Sequence, residues 1–325
     1  MLVSVIIPVY NCATTIERCL DSIFSQEYDD YEVIAVNDCS TDDSLQVIQR
    51  FVDQLPQAKA AKFRLLNNEK NQGSGTTRRI GMQAARGQYM IQVDSDDYVH
   101  PQYLSKLTQA VKGGDDMAIC NLEFFNNDSS WQNEEKIVCD NQYLLCKVLS
   151  GEIHSSLCNK LMKSSIIREH DIYPYRDMGI YDDMSVTYRV LFFCHQIAYV
   201  SEALYFVDRT STQSATFSYR EKVVPSLVNL RHEMKQFASQ FQWNEKLCRA
   251  LDTFLVELSC YMIRSIKPEN LKPFSSDYLP GLKSFVDIWR HPHVGMYGKM
   301  LATLAKARLF ILVKWMNGFI KIASR

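Results

Sequence analysis

Residues 3–11, Val3-Ser4-Val5-Ile6-Ile7-Pro8-Val9-Tyr10-Asn11, decide the fold when they are read together with the helix and strand patterns downstream of them. Val3 to Ile7 is a short apolar, β-branched run that predicts a strand, ended by Pro8, which cannot donate to a ladder. Thr14 and Glu17 have capping-box spacing ahead of a helix through Phe24. Tyr31 to Val36 is a second strand. Ser40 is placed to cap the next helix, with Asp42 and Asp43 in a first turn whose dipole favours negative charge. The pattern then repeats, with strand Phe63–Leu66, helix Thr76–Ala85, strand Tyr89–Val93, a helix from Pro101 through Val111, and strand Met117–Phe125. Such alternation means βαβ units, hence an α/β fold with a mostly parallel sheet covered by helices on both faces. Ligands of these sheets lie beyond the carboxyl ends of the strands. Here those positions are Pro8–Asn11, Asn37–Ser40 and Asp94–Asp97.

The remainder is less periodic. Helices are expected near Asn141–Leu149 and Asp183–Phe193, and the last third reads as helical, broken by Pro268, Pro273, Pro280 and Pro292. Apolar residues at 46% and charged residues at 22% suit a folded protein. A formal net charge of -1 argues against nucleic acid as a partner, though the charge is uneven. Residues 288–325 hold seven Lys and Arg and no acid, which leaves about -8 on the first 287 residues. The ten cysteines include no CxxC pair and no zinc spacing, so thiols in a reducing compartment are expected. No leader pattern and no apolar run of spanning length occurs.

Asp94-Ser95-Asp96-Asp97 is the strongest single signal. Carboxylates two apart at a strand end can hold Mg²⁺ or Mn²⁺ together with substrate phosphates, or can simply form an acidic turn before a helix. A calcium loop is a poor fit, with Val99 and Ser105 where Gly and Glu belong. Asp38 can accept a hydrogen bond from the imide N–H of uracil, or can cap a helix. Arg78 ends the small-residue run Gly73-Ser74-Gly75-Thr76-Thr77, which permits close backbone approach and brings a guanidinium toward a diphosphate or a base. It stands where a dinucleotide fingerprint would need glycine. Asp182-Asp183 is either the acidic first turn of a helix or a general base for an acceptor hydroxyl, since adjacent carboxylates raise one another's pKa.

Taken in order, Ser4–Asn11, Asn37-Asp38-Cys39-Ser40-Thr41-Asp42, Asn71–Arg78 and Asp94–Asp97 resemble family 2 glycosyltransferases with the Rossmann-like GT-A fold. Cys158-Asn159-Lys160-Leu161 is similar to the "WNKL" segment of bacterial members that build lipopolysaccharide and capsule, and Asp182-Asp183 stands in the place of their "ED". The likeness runs over about residues 3 to 216. It implies that Pro8, Tyr10, Asp38 and Arg78 contact the uridine part of a UDP-sugar donor. It implies that Asp94, Ser95 and Asp96 form the DxD element, with Asp96 the ligand of Mn²⁺ or Mg²⁺, and that Asp183 is the base of an inverting single displacement. Departures are Asn37 for the usual Asp, Cys39 for Gly, Arg79 for the Asn of "SAARN", Asp182 for Glu, and Phe206-Val207-Asp208-Arg209 for an aromatic and basic run.

The resulting expectation is a cytoplasmic, metal-dependent, inverting hexosyltransferase that adds sugar to a saccharide, or lipid-linked saccharide, in surface polysaccharide synthesis. Residues 1–220 would be catalytic (1–125 for nucleotide sugar, 126–220 for acceptor) and 221–325 helical. On a helical wheel Lys299, Lys306, Lys314, Lys321 and Arg325 form a stripe about 100° wide, across from Leu301, Leu304, Ile311, Leu312, Trp315, Phe319 and Ile322. Residues 299–325 would then lie on an anionic membrane surface, at the inner face of the cell membrane, or pack on the catalytic domain with a solvated basic face. Two other readings are a sugar nucleotidyltransferase and a catalytically silent scaffold of the same fold. The former calls for a Gly-rich, Lys/Arg-bearing loop after the first strand, where this chain has Pro8–Cys12.

Overall fold

The computed structural model describes residues 1–133, 137–176, 178, 180–210, 223–267, 270–292 and 294–312. The chain divides into two compact units, residues 1–145 with 154–212, and residues 146–153 with 213–325.

Among the described residues the first unit is built on one nine-stranded sheet. Its strands are β1 (Val3–Val9), β2 (Tyr31–Asn37), β3 (Phe63–Asn67), β4 (Tyr89–Gln92), β5 (Tyr98–Val99), β6 (Met117–Phe125), β7 (Ser130–Asn133), β8 (Lys160–Lys163) and β9 (Ile197–Asp208). They lie in the order β3-β2-β1-β4-β8-β6-β9-β5, with β7 on β6. The first four are parallel; β8 then runs antiparallel to both β4 and β6, so β6 and β9 point the same way as β4. The carboxyl ends of β1, β2, β4, β6 and β9 therefore share one edge. Apolar runs such as Val5, Ile7, Val33, Ala35 and Ile91 are wholly buried, as a sheet covered on both faces requires. Helices α1 (Ile16–Phe24), α2 (Ser44–Gln54), α3 (Gln57–Ala60), α4 (Ser74–Ala84), α5 (Tyr103–Ala110), α6 (Asn141–Leu149), α7 (Ser164–Glu169) and α8 (Asp182–Phe193) connect the strands.

Several local expectations are corrected. β1 continues through Pro8 to Val9, because its pairing with β4 stops at Ile6↔Gln92 and no ladder bond on that side needs the missing N–H. The Thr14–Glu17 capping box does not form; Thr15 precedes α1 and its hydroxyl donates to the Cys12 carbonyl. Ser40 does not cap α2, which starts at Ser44. Instead Asp42 accepts from the Ser44 N–H and the Ala13 N–H, so the segment before α2 ties β2 to the loop after β1. No disulfide joins the cysteines.

The second unit carries α9 (Val224–Gln240), α10 (Glu245–Ser265), α11 (Ser275–Tyr278), α12 (Phe285–Arg290) and α13 (Met296–Lys306). Asn244 and Ser284 cap α10 and α12 through their side chains. Lys299 donates to the Trp289 carbonyl, and Lys306 to the carbonyls of Leu282 and Lys283. Those two lysines of the basic stripe are thus engaged within their own unit, which does not support a membrane-facing role for them. Lys314, Lys321, Arg325, Trp315, Phe319, Ile322 and Pro268 lie outside the described residues. Among the described residues no helix is long and apolar enough to cross a membrane.

Candidate active site

At the ends of β1 and β2 two loops are zipped by side chains. The Asn11 N–H donates to Ser40 Oγ (3.1 Å), and the Thr41 N–H to Asn11 Oδ1 (2.8 Å). Both loops need left-handed backbone, at Asn11 (φ +49°) and Cys39 (φ +59°). The φ at Cys39 explains why glycine suits this position. Asn37 accepts the Ser40 N–H and reaches Asn67. Pro8 is partly buried, and Tyr10 is 49% exposed beside them.

Asp38 is buried, and its N–H donates to the Val9 carbonyl. Its carboxylate accepts from Asn68 Nδ2 (2.8 Å), the Gln72 N–H (2.9 Å) and the Gly73 N–H (2.8 Å). Three of about four acceptor positions on the carboxylate therefore hold the loop that leads into α4. The small residues of that loop serve close approach, as expected, but to protein: Gly75 lies against Met178 and Asp182. A Cβ at Gly75 would stand 2.7 Å from the Met178 carbonyl oxygen and 3.3 Å from Asp182 Cβ.

That contact sets Arg78 between two acidic elements. Its Nη2 donates to Asp94 Oδ1 (2.7 Å), its Nε to Asp182 Oδ2 (2.9 Å) and its Nη1 to Gln92 Oε1 (2.7 Å). Burial opposes the charge of Arg78, but Asp94 and Asp182 more than offset it and keep the guanidinium protonated. One planar side chain thus joins the end of β4 to the start of α8. Arg79, in place of the family's Asn, reaches the Pro174 carbonyl and lies over the Tyr173 ring, holding the loop before α8.

The Asp94–Asp97 turn closes on itself through Asp97 N–H to the Asp94 carbonyl (3.1 Å). Tyr205 braces it from β9, donating to Asp97 Oδ2 (2.7 Å) while accepting the Asp94 N–H (3.0 Å). Asp97 is buried, and burial, with Asp94 and Asp96 added, pushes its pKa well above the usual carboxylate range. Ser95 faces the Cys12 thiol, which links the turn to the loop after β1. Asp96 presents an exposed carboxylate; desolvation by the protein around it, and then Asp94, raises its pKa. Its backbone carbonyl is held by Arg18 Nη2 (2.6 Å), which also pairs with Asp208 (2.7 Å) and lies 5.0 Å from the centre of the Tyr98 ring.

Asp182 and Asp183 open α8 after Tyr181, a non-glycine residue at φ +58°. Asp183 accepts from the Met184 N–H (2.7 Å) and from Ser155 Oγ (3.1 Å). Burial, then Asp182, raises its pKa, against the lowering effect of those donors and of Arg78. Ser155 is held in turn. Thr187 Oγ1 donates to its carbonyl (2.6 Å), and the ammonium of the fully buried Lys160 donates at 2.8 Å to each of His154 O, Ser156 O and Asn159 Oδ1. The Asn159-Lys160 pair is therefore an anchor for the loop that reaches the Asp183 carboxylate.

Among the described residues no three or more His, Cys, Asp or Glu side chains form a ready-made metal cage. The oxygen donor that fits a hard divalent cation is the Asp96 carboxylate, which meets its own backbone N–H and is otherwise open. A cleft of about 760 Å³ at the amino ends of β1 and β4, lined by Met1, Tyr89, Lys112, Lys163 and Arg168, is remote from this acidic edge. Sequence reasoning missed Arg18, Ser155, Thr187 and Tyr205. Only Lys160 stood in a segment that the sequence had singled out, Cys158-Asn159-Lys160-Leu161.

The fold is that of TarS of Staphylococcus aureus. A crystal structure of its residues 1–349 with UDP-GlcNAc matches with a TM-score of 0.67 and 19% identity, over 99% of this chain and 92% of that one. A mannosyltransferase of Pyrobaculum calidifontis, PcManGT, solved with GDP-Man and Mn²⁺, matches with a TM-score of 0.54 and 15% identity, over 96% and 86% of the two chains. In sequence, EpsH of Bacillus subtilis is 29% identical over 261 residues, which cover 78% of this chain and 74% of EpsH. TarS, named a poly(ribitol-phosphate) beta-N-acetylglucosaminyltransferase, is 25% identical over 210 residues, 63% of this chain but 35% of TarS. The sequence pattern of Glycosyl transferase family 2 matches residues 4–171, more than half of the chain. This protein belongs to that family, and it has the GT-A fold.

Proposed function

We propose that this glycosyltransferase moves a sugar from a UDP-sugar to a hydroxyl of a surface-polysaccharide acceptor, free or lipid-linked, with inversion at the anomeric carbon. The observation that carries the reading is the span of Arg78, whose guanidinium touches Asp94 and Asp182 at once. Carboxylates from β4 and from α8 are thereby brought to one edge of the sheet, the edge where ligands of such sheets bind.

In this reading Asp183 is the general base. Sugar hydroxyls are weakly acidic, so a carboxylate of raised pKa, fixed by Met184 and Ser155, suits proton removal near neutral pH. Attack from the face opposite the leaving diphosphate converts an α-linked donor to a β-linked product. Asp96, with Asp94 beside it, would hold Mn²⁺ or Mg²⁺; such an ion, when bound, supplies positive charge toward the departing diphosphate. Arg18 fixes the Asp96 backbone and Tyr205 the rest of the turn, so the carboxylate is presented in one orientation. Pro8, Tyr10, Asp38 and Ser95 line the nucleotide side, with Asp38 setting the 68–73 loop and keeping acceptor capacity for the uracil imide. The names of TarS, which was solved with UDP-GlcNAc and acts on a poly(ribitol-phosphate), support the donor and acceptor classes. The loop after β1 counts against a nucleotidyltransferase, since Pro8–Cys12 has no cationic side chain to grip a triphosphate.

The test is Mn²⁺-dependent release of UDP, using nucleotide sugars selected by protection against thermal unfolding. Asp96→Ala and Asp183→Asn should each lower turnover at least about 100-fold. Retained turnover in both variants, or protection by guanosine sugars alone, would refute the assignment.

A further inference from the structure

From the geometry we infer an acceptor subsite: the exposed ring of Trp131, stacked on Phe124, against which His154 and Arg209 also pack, binds a pyranose ring of the acceptor, at least one sugar away from the ring whose hydroxyl reacts. The inference rests on the proposed role of Asp183 for its location, but not for its chemistry.

Trp131 lies opposite Phe124 in the β6–β7 ladder, with ring centroids 5.8 Å apart and planes within 12°. Phe124 is buried, whereas Trp131 is 46% exposed. The His154 ring lies 5.5 Å from the Phe124 ring, and the Arg209 guanidinium 5.6 Å from it. A tryptophan backed by a buried ring has one face fixed and the other offered to solvent. Covering that face with apolar surface is favourable. A pyranose has such a surface in its axial C–H groups, with hydroxyls around the rim for neighbouring polar side chains. Arg209 is a donor at this place, and His154, whose pKa burial, Lys160 and Arg209 depress to about 4, is neutral at physiological pH.

Location ties the platform to the reaction. Met90 of β4 and Met117 of β6 both pair with Met162, so the two strands are level there and run the same way. Phe124 is seven residues beyond that level and Asp94 four, so the aromatic pair stands about 10 Å further out along the carboxyl edge, at about 3.3 Å per residue. The loop whose His154 packs on Phe124 is the one whose Ser155 donates to Asp183. The offset of about 10 Å beyond the level of Asp94 sets the platform away from the reacting hydroxyl. The occupant is therefore a ring further along an oligosaccharide, and the site would favour acceptors of two or more sugars.

The test uses the full chain with UDP and Mn²⁺ on immobilised hexose and N-acetylhexosamine saccharides of one to four sugars. Retention of the wild-type protein should rise with length. Trp131→Ala should lower retention on the longer saccharides about tenfold, as loss of one aromatic contact implies, and leave single sugars and UDP affinity unchanged. Trp131→Phe should keep most of it. Equal retention by Trp131→Ala and wild type, or no rise with length, would overturn the subsite. If Asp183→Asn kept turnover while retention still rose with length, the base assignment would fail and the Trp131 result would stand.

Discussion

Ser155→Ala isolates the electrostatic tuning of Asp183. The Ser155 hydroxyl donates to Asp183 Oδ2 at 3.1 Å, at the long end of such bonds, and it stabilises the ionised carboxylate. Hydrogen bonds to charged groups contribute about 1.5–3 kcal/mol, so a long one is worth roughly 1.5 kcal/mol. At 1.36 kcal/mol per unit this moves the Asp183 pKa up by about one pH unit. The Met184 N–H and Arg78 remain, and Thr187 still holds the Ser155 carbonyl, so the loop should keep its place. If ionised Asp183 is the base, kcat/KM for hydrolysis of the UDP-sugar falls as acid protonates it. The acidic limb of wild type should lie above the ordinary aspartate value of about 3.9, and that of Ser155→Ala about one unit higher still, with little change on the plateau.

Stability follows with its own sign. A carboxyl whose folded pKa is raised favours the fold below its unfolded pKa, and that advantage is lost as pH rises through the folded value. At neutral pH Ser155→Ala should therefore cost about 1.5 kcal/mol, or about 3–6 °C in Tm, and the deficit should shrink as pH falls below the folded pKa of Asp183 in wild type and the carboxyl becomes protonated in both folded proteins. A variant whose plateau drops while its acidic limb stays in place would refute the tuning argument; Ser155 would then act on geometry alone.

Two further outcomes are expected. Arg18→Met should raise the Mn²⁺ concentration for half-maximal UDP release about 10-fold, with kcat at saturating Mn²⁺ nearly kept, because Arg18 holds the Asp96 backbone and not the reacting groups. Equal losses of kcat at every Mn²⁺ concentration would contradict a positioning role. Cys39→Gly should stabilise the protein by about 1 kcal/mol in urea unfolding, by relieving the left-handed backbone at φ +59°. A lower midpoint would mean that the packing of the Cys39 side chain outweighs the strain.

The residues that could be read from sequence are those whose neighbours are near in the chain. β1, β2 and β4 announce themselves as apolar runs, and the acids after them follow from the rule for strand ends. β8 does not, because two of its four residues are Lys160 and Lys163, and a buried ammonium that finds three oxygens leaves no apolar pattern. β9 alternates poorly, since its register against β6 shifts around Asn121. Asp42 and Ser40 were legible as helix-start residues, yet they bind the loop after β1, a contact about 30 residues away that no local rule reports. Tyr205 lies over 100 residues from the turn it braces. Arg78 could be singled out as a cation beside small residues, but its partner Asp182 is 104 residues distant, and only the folded chain shows where the guanidinium points.

That placement also bears on why a divalent cation suits this edge. Asp94, Asp96, Asp97, Asp182 and Asp183 are linked through shared turns and through Arg78, while Arg18, the next cation, is paired with Asp208. The raised pKa values of Asp97 and Asp183 relieve part of the repulsion, since burial favours their neutral forms. Arg78 is balanced by Asp94 and Asp182 together, and Asp96 adds a further carboxylate at the exposed end. The edge is therefore negative before any donor arrives. A diphosphate brings at least two more negative charges, each worth roughly 4 kcal/mol of repulsion per carboxylate at 4 Å and an effective dielectric of 20. All three nitrogens of the Arg78 guanidinium already donate, to Asp94, Asp182 and Gln92, and its single charge faces two carboxylates. With Arg78 and Arg18 committed in this way, a small divalent ion at Asp96 would supply part of the missing positive charge, and that charge balance, more than the spacing of the acids, is the physical argument behind the proposed metal dependence.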